Sequence, residues 1–297
     1  MELHWPLILF TFFVCLASGI LFAQGLLTTL GKGKKMQVVS LAASLATLVI
    51  GGIAVFLHLQ HWERIFNGFG HITSGITLEF IGCVVFFIAL VVFFLMMRRS
   101  ETGEAPKWCG IMAMIVGVAM VVVMGDSYLM SALPAWNTPL LIVFYVCNMI
   151  FMSGFAGIII AAFVGEENAK ELMVKIALIG SVLEVIAVLV YGFVVTSQAG
   201  AYTDLGMYFD PTLPDVAMVN VAAIINVMSG DMALPFWLGS IIVGGIAPIA
   251  LAFLATKAKD VKGAMPYAIG GIVCATIGGI CWRCILYVVA ISVFAVF

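Results

Sequence analysis

Four apolar stretches of this chain each deliver a few residues able to handle protons. His58 stands between Leu57 and Leu59, with His61, Glu63, Arg64 and His71 close behind it. Glu79 lies early in the next stretch, Asp126, Ser127 and Tyr128 close another, and Arg283 and Tyr287 are four residues apart in the last. An imidazole takes up a proton near neutral pH, a carboxylate can pass it on, and a guanidinium steadies negative charge. Together they are equipment for acid–base chemistry. Each also has a plainer reading. Tyr128, Trp136 and Tyr287 suit an aromatic belt at a membrane interface. Arg283 could snorkel, or pair structurally with Glu79 or Asp126. His61 and His71 read as solvated loop histidines.

Glu184 stands apart, well inside the apolar run LIGSVLEVIAVLVYGF. It reads as a neutral carboxyl accepting a hydrogen bond from Ser181 or from a neighbouring helix. A proton path is the sharper alternative, because ionisable groups inside a bilayer are costly. Glu101, Glu104, Glu166, Glu167, Glu171 and Asp260 read as solvated. No metal site is expected. The seven cysteines (Cys15, Cys83, Cys109, Cys147, Cys274, Cys281, Cys284) fall in or beside apolar segments and read as small hydrophobes. A haem would need facing helical histidines, and only His58 is firmly on a helix. No loop carries the Cys/His spacing of a structural zinc site.

The elements that must position these residues follow from composition. Hydrophobic residues make up 64% of the chain and charged ones 9%, with mean hydropathy +1.22. Soluble domains carry about 25% charge, so this is an all-α integral membrane protein. The net charge of −2 says nothing about nucleic acid, but with no K/R-rich tail or basic helical face no nucleic-acid partner is expected. Met1–Pro6 contains no Lys or Arg, so a cleavable signal peptide is not expected. About 20 apolar residues cross a bilayer. Eight segments qualify, near 5–30, 37–59, 74–97, 108–130, 138–164, 174–196, 235–256 and 264–294, forming one membrane domain. Pro6, Pro139, Pro235 and Pro266 are expected in the first turns of their helices.

Eleven of the thirteen basic residues fall in the loops after segments one, three, five and seven. Only Arg64 and Arg283 lie elsewhere. Short cytoplasmic loops collect Lys and Arg, so both termini are expected on the non-cytoplasmic side. The long connection 197–234 is then an outer loop, and its apolar stretch Val216–Met228 reads as an interfacial helix or as a cap packed on the bundle or under a partner. On this topology His58, Glu79 and Asp126 fall near the outer surface. Arg283 joins them, about 28 Å along its helix from Ala264 at 1.5 Å per residue.

ELHWPLILFTFF and AVFLHLQHWERIFNGFGHITSGITLEF, with the eight-segment plan, resemble the membrane anchor subunit of dimethyl sulfoxide reductases. Leu57-His58-Leu59, Arg64, Phe66-Asn67, Glu79, Trp136 with Thr138-Pro139, and Arg283 with Tyr287 carry the resemblance. It implies a multi-pass subunit of a bacterial cytoplasmic membrane that oxidises menaquinol in anaerobic respiration. Electrons would pass to a four-cluster iron–sulfur subunit and on to a molybdopterin catalytic subunit, with no haem or cluster in this chain. His58 matches the family's quinol-site histidine. Glu79 and Asp126 would share the proton chemistry, and Arg64, Tyr128, Arg283 and Tyr287 would complete the quinol site. Gly125-Asp126 replaces a basic residue found there in some members. The competing class is a secondary transporter or channel, supported by Glu184 and by Gly270-Gly271 and Gly278-Gly279 in the last segment.

Overall fold

The computed structural model describes residues 3–58, 61, 67, 69–201 and 221–291, leaving the side chains of His58 and Ala201 outside the description. Its long helices are α1 (Trp5–Thr29), α2 (Gln37–His58), α3 (Gly75–Arg99), α4 (Lys107–Ser127), α5 (Leu140–Val164) and α6 (Lys170–Ser197). The short α7 (Val221–Ile225) precedes α8 (Pro235–Thr256) and α9 (Val261–Val288). All but α7 are long and apolar enough to cross a membrane. The protein is therefore an all-helical bundle of eight candidate spans, with no strand among the described residues.

Local chemistry sets the helix ends. Pro6 occupies the first turn of α1 and Pro235 opens α8, while Pro139 directly precedes α5. Pro266 departs from expectation and lies inside α9. Asp260 is the reason: its carboxylate accepts from the Gly263 amide at 2.6 Å, so the helix starts at Val261. Helix α6 starts at Lys170, four residues before the expected 174, because its first turn carries charged residues outside the apolar run. Helix α9 ends at Val288, and the end of the expected segment, 292–294, lies outside the described residues. The first part of α8, Pro235–Ile246, winds as a π-helix. Of the long connection 197–234, Val221, Ile225 and Val227 are buried in the same apolar cluster as the spans, so this described part packs on its own bundle.

Helices α1 and α5 are the centre. Of their most apolar windows, 67% and 72% is buried, against 33% and 28% for α2 and α3. Helix α1 packs on α2 and α4, α5 packs on α6 and α9, and α8 packs on α9 and α6. Two four-span halves thus meet where α1 crosses α5. Lipid is as apolar as leucine, so helices in a membrane are held by close packing. Small residues permit it here. A Cβ on Gly25 or Gly110 would come within 2.6 Å of the other's carbonyl oxygen, and one on Gly154 within 2.2 Å of the Ala177 nitrogen.

At the lysine-rich face the loops are tied together. Glu166 accepts from the Lys35 amide at 2.9 Å, and Asn168 accepts from the Gly33 amide at 3.0 Å. Glu167 accepts from the Val261 amide at 2.9 Å, and the Lys170 ammonium donates to the Ala258 carbonyl. Glu166 is buried, not solvated as its loop position suggests, because the left-handed Gly165 turns it inward towards that amide.

Candidate functional site

The opposite end of the bundle, where α1 begins and α9 ends, is here called the terminal face. A cavity of about 320 Å³ opens near it between α1, α2, α3 and α4. Its polar end is formed by Glu79, Ser127 and Tyr128, and its apolar body includes Phe10, Gly52, Val55 and Cys83. The local fold creates this pairing. Helix α3 starts with its first residue pressed against Ser127, so closely that a Cβ on Gly75 would stand 2.7 Å from the Ser127 Cβ. One turn further, Glu79 meets the last residue of α4.

The Ser127 hydroxyl lies 2.5 Å from Glu79 Oε1 and 2.8 Å from the Met124 carbonyl oxygen. One hydroxyl proton cannot serve both acceptors fully. With Glu79 ionised, Ser127 donates to it. With Glu79 protonated, the carboxyl donates to Ser127 Oγ, which donates on to Met124. The pair therefore suits a carboxyl that gains and loses a proton.

Tyr128 lines this cavity and also a small void of about 10 Å³, room for one water molecule. Trp136, Tyr145, Arg283 and Tyr287 line the void with it. Trp136 packs edge-on against both Tyr128 and Tyr287, with ring centroids 5.4 Å and 5.1 Å apart, and donates to the Leu286 carbonyl at 2.7 Å. Tyr128 is thus a wall between the two spaces.

Arg283 lies behind that wall, fully buried. Its Nε donates to Thr11 Oγ1 at 3.0 Å, Nη1 to the Gly279 carbonyl at 3.0 Å, and Nη2 to Asn148 Oδ1 at 3.1 Å. The rings of Phe144, Tyr145 and Phe12 surround the cation at 5.2, 5.5 and 5.7 Å. Asn148 turns its amide to Glu184 and donates to Oε1 at 2.7 Å. The amide thereby links a buried cation to a buried carboxyl and joins α1, α5, α6 and α9. The pairing of Arg283 with Glu79 or Asp126 that the sequence suggests does not form. Glu184 does accept from a neighbouring helix, while Ser181 donates to the Ala177 carbonyl instead.

The structure brings Glu79 and Tyr128 to the larger cavity, and Arg283 and Tyr287 to the void behind it. His58 is the last residue of α2, six positions after Gly52 and three after Val55, both in the cavity wall. Its side chain and all of Arg64 lie outside the described residues. Asp126 is exposed at the end of α4 and lines neither space. Asn148 and Thr11 are site residues that the sequence reading does not single out, and Ser127, grouped there with Asp126 and Tyr128, turns out to be the direct partner of Glu79. An uncharged amide inside LLIVFYVCNMIFM was a usable signal, since polar side chains within spans call for partners just as charged ones do. Among the described residues no group of three or more His, Cys, Asp or Glu is placed to hold a metal ion.

The DMSO reductase anchor subunit (DmsC) family model matches residues 1–231. The chain belongs to this family. No curated protein matches it. As a DMSO reductase anchor subunit it is a multi-pass membrane protein that associates with catalytic reductase subunits. The match takes in α1 to α7, hence the whole 320 Å³ cavity, and stops before the helix that carries Arg283 and Tyr287.

Proposed function

We propose that this anchor subunit oxidises menaquinol in the 320 Å³ cavity at its terminal face. The observation that carries the reading is a space with two characters: a carboxyl–hydroxyl pair at one end and an apolar body open to α2 and α3. A quinol has the same two characters, a ring with two hydroxyls and an isoprenoid tail. The lysine distribution supports a terminal face directed out of the cytoplasm, in the cytoplasmic membrane of a bacterium. Electrons would go to a four-cluster iron–sulfur subunit that feeds a molybdopterin catalytic subunit during anaerobic respiration.

Oxidation of a quinol to a quinone removes two electrons and two protons. His58, at the end of α2, is the base for one hydroxyl, and Glu79 takes the proton of the other with Ser127 adjusting behind it. Asp126, exposed at the end of α4, passes protons to the outer solution. Tyr128 closes the ring pocket, while Arg283 and Tyr287 behind it fix the charge and position of that wall. Arg64 holds the partner subunit at the surface. His58→Ala and Glu79→Gln, each in the assembled complex, are expected to cut menaquinol-dependent reduction by roughly 10²-fold, the scale of one general acid–base group. Reduction by a soluble artificial donor should be unchanged. Menaquinol turnover at the unaltered rate in either variant would sink the assignment.

The transporter reading would use the buried Arg283–Asn148–Glu184 link. Against it, the void beside Arg283 holds about 10 Å³, too little for a solute. Copurification separates the two, since an anchor brings molybdenum and iron–sulfur subunits with it and a transporter does not.

A further inference from the structure

Gly52 sits inside α2, where glycine is the poorest helix former apart from proline. Its neighbour Gly51 has a packing reason, because a Cβ there would meet Phe13 Cβ at 3.2 Å and the Phe10 carbonyl oxygen at 3.4 Å. Gly52 has none: a Cβ there would meet nothing within 4 Å. The open space beside it belongs to the cavity it lines. Gly52 lies six residues, or about 9 Å, below the end of α2 at 1.5 Å per residue, on the apolar side of the cavity. One turn nearer the face, Phe56 also lines the cavity while remaining 43% exposed, and Ile76 of α3 does so at 64%. Helices α2 and α3 pack on each other only thinly. The cavity therefore opens sideways along the α2–α3 seam towards lipid.

A volume of 320 Å³ is at the small end of ligand pockets, about 300–1,000 Å³. It holds a bicyclic ring and little more, so a long tail must leave. We propose that Gly52 keeps open the passage by which the isoprenoid chain of the quinol runs from the ring pocket, past Cys83 and Phe80, into the bilayer between α2 and α3. This inference rests on the quinol reading of the cavity and adds the residue that selects for the tail.

The test uses the full chain in lipid nanodiscs and two probes, menadione, which has no tail, and a menaquinone with a short prenyl chain. Affinities are compared for wild type and for Gly52→Ala, Gly52→Leu and Gly52→Phe. The alanine variant favours the helix, so it reports even if the larger ones fold poorly. The tailed probe is expected to weaken in the order Ala, Leu, Phe, reaching roughly tenfold or more, while menadione stays within about twofold, as overpacking of a filled passage requires. Equal weakening of both probes places Gly52 in the ring pocket and overturns the passage. So does tailed binding that ignores the substitutions. If wild type binds neither probe, the quinol reading itself fails, and the passage with it.

Discussion

Ser127 gives Glu79 a hydrogen-bond partner whichever of them holds the proton, and the Met124 carbonyl completes the exchange. Ser127→Ala removes that adjustment. It should lower kcat for menaquinol oxidation by about tenfold, less than the roughly 10²-fold loss of a whole acid–base group because Glu79 itself remains, with little change in KM. Ser127→Thr should restore most of the rate, and a Thr variant as slow as Ala would show that the hydroxyl is not what matters. Behind the cavity, one amide of Asn148 partners both Arg283 and Glu184 Oε1. Asn148→Leu leaves both short of a partner and should cost roughly 1–3 kcal/mol of stability. Denaturant unfolding in detergent measures this, and Asn148→Asp, which offers Arg283 a direct counter-charge, should lose less. Glu79, which lines the cavity, was legible in the sequence because a carboxyl in an apolar run stands out. The direction of Arg283 was not. Its depth follows from counting residues, but its facing depends on rotation about the helix axis, and a helix without a polar face leaves that angle open.

The same limit holds for whole helices. Near-uniform hydropathy reveals that a segment spans and hides which side meets its neighbours. The eight spans were therefore legible, while the central place of α1 and α5 was not. Helix ends depended on single residues: Asp260 outcompetes Pro266 as the start of α9 because a carboxylate aimed at Gly263 satisfies a free amide, whereas proline only tolerates the position. The π-helical winding of Pro235–Ile246 left no readable mark in the sequence. Glycines were visible as a class, but only the packing separates those that fill contacts from Gly52. Gly154 lies where a side chain would strike the α6 backbone, and Gly278 where it would come 2.1 Å from the Gly244 Cα. Gly154→Val and Gly278→Val should each destabilise the bundle by at least about 1–3 kcal/mol through overpacking. A lowered melting temperature in detergent is the expected readout, and a melt like that of wild type would contradict the close approach.

For the molecule as a whole, the two faces differ in charge, and their orientation can be measured. Asn137 and Lys34 are exposed at opposite ends. With Asn137→Cys, a membrane-impermeant maleimide is expected to label intact cells; with Lys34→Cys, it should label only inverted vesicles. The reverse pattern would turn the proposed quinol site towards the cytoplasm. The ties between loops at the lysine-rich face carry a different consequence, one of time. The loop 165–169 lies midway along the chain, and its Glu166 finds Lys35 already made. Its Glu167 waits for Val261, 94 residues later in sequence. At about 5–20 residues per second that is roughly 5–19 s of synthesis. The first half can thus close on the middle loop while the ribosome is still at work, and the second half is latched only when the last span arrives. A ribosome stalled before residue 261 would hold a half-fastened bundle, with Glu167 exposed to surveillance by proteases on that side of the membrane.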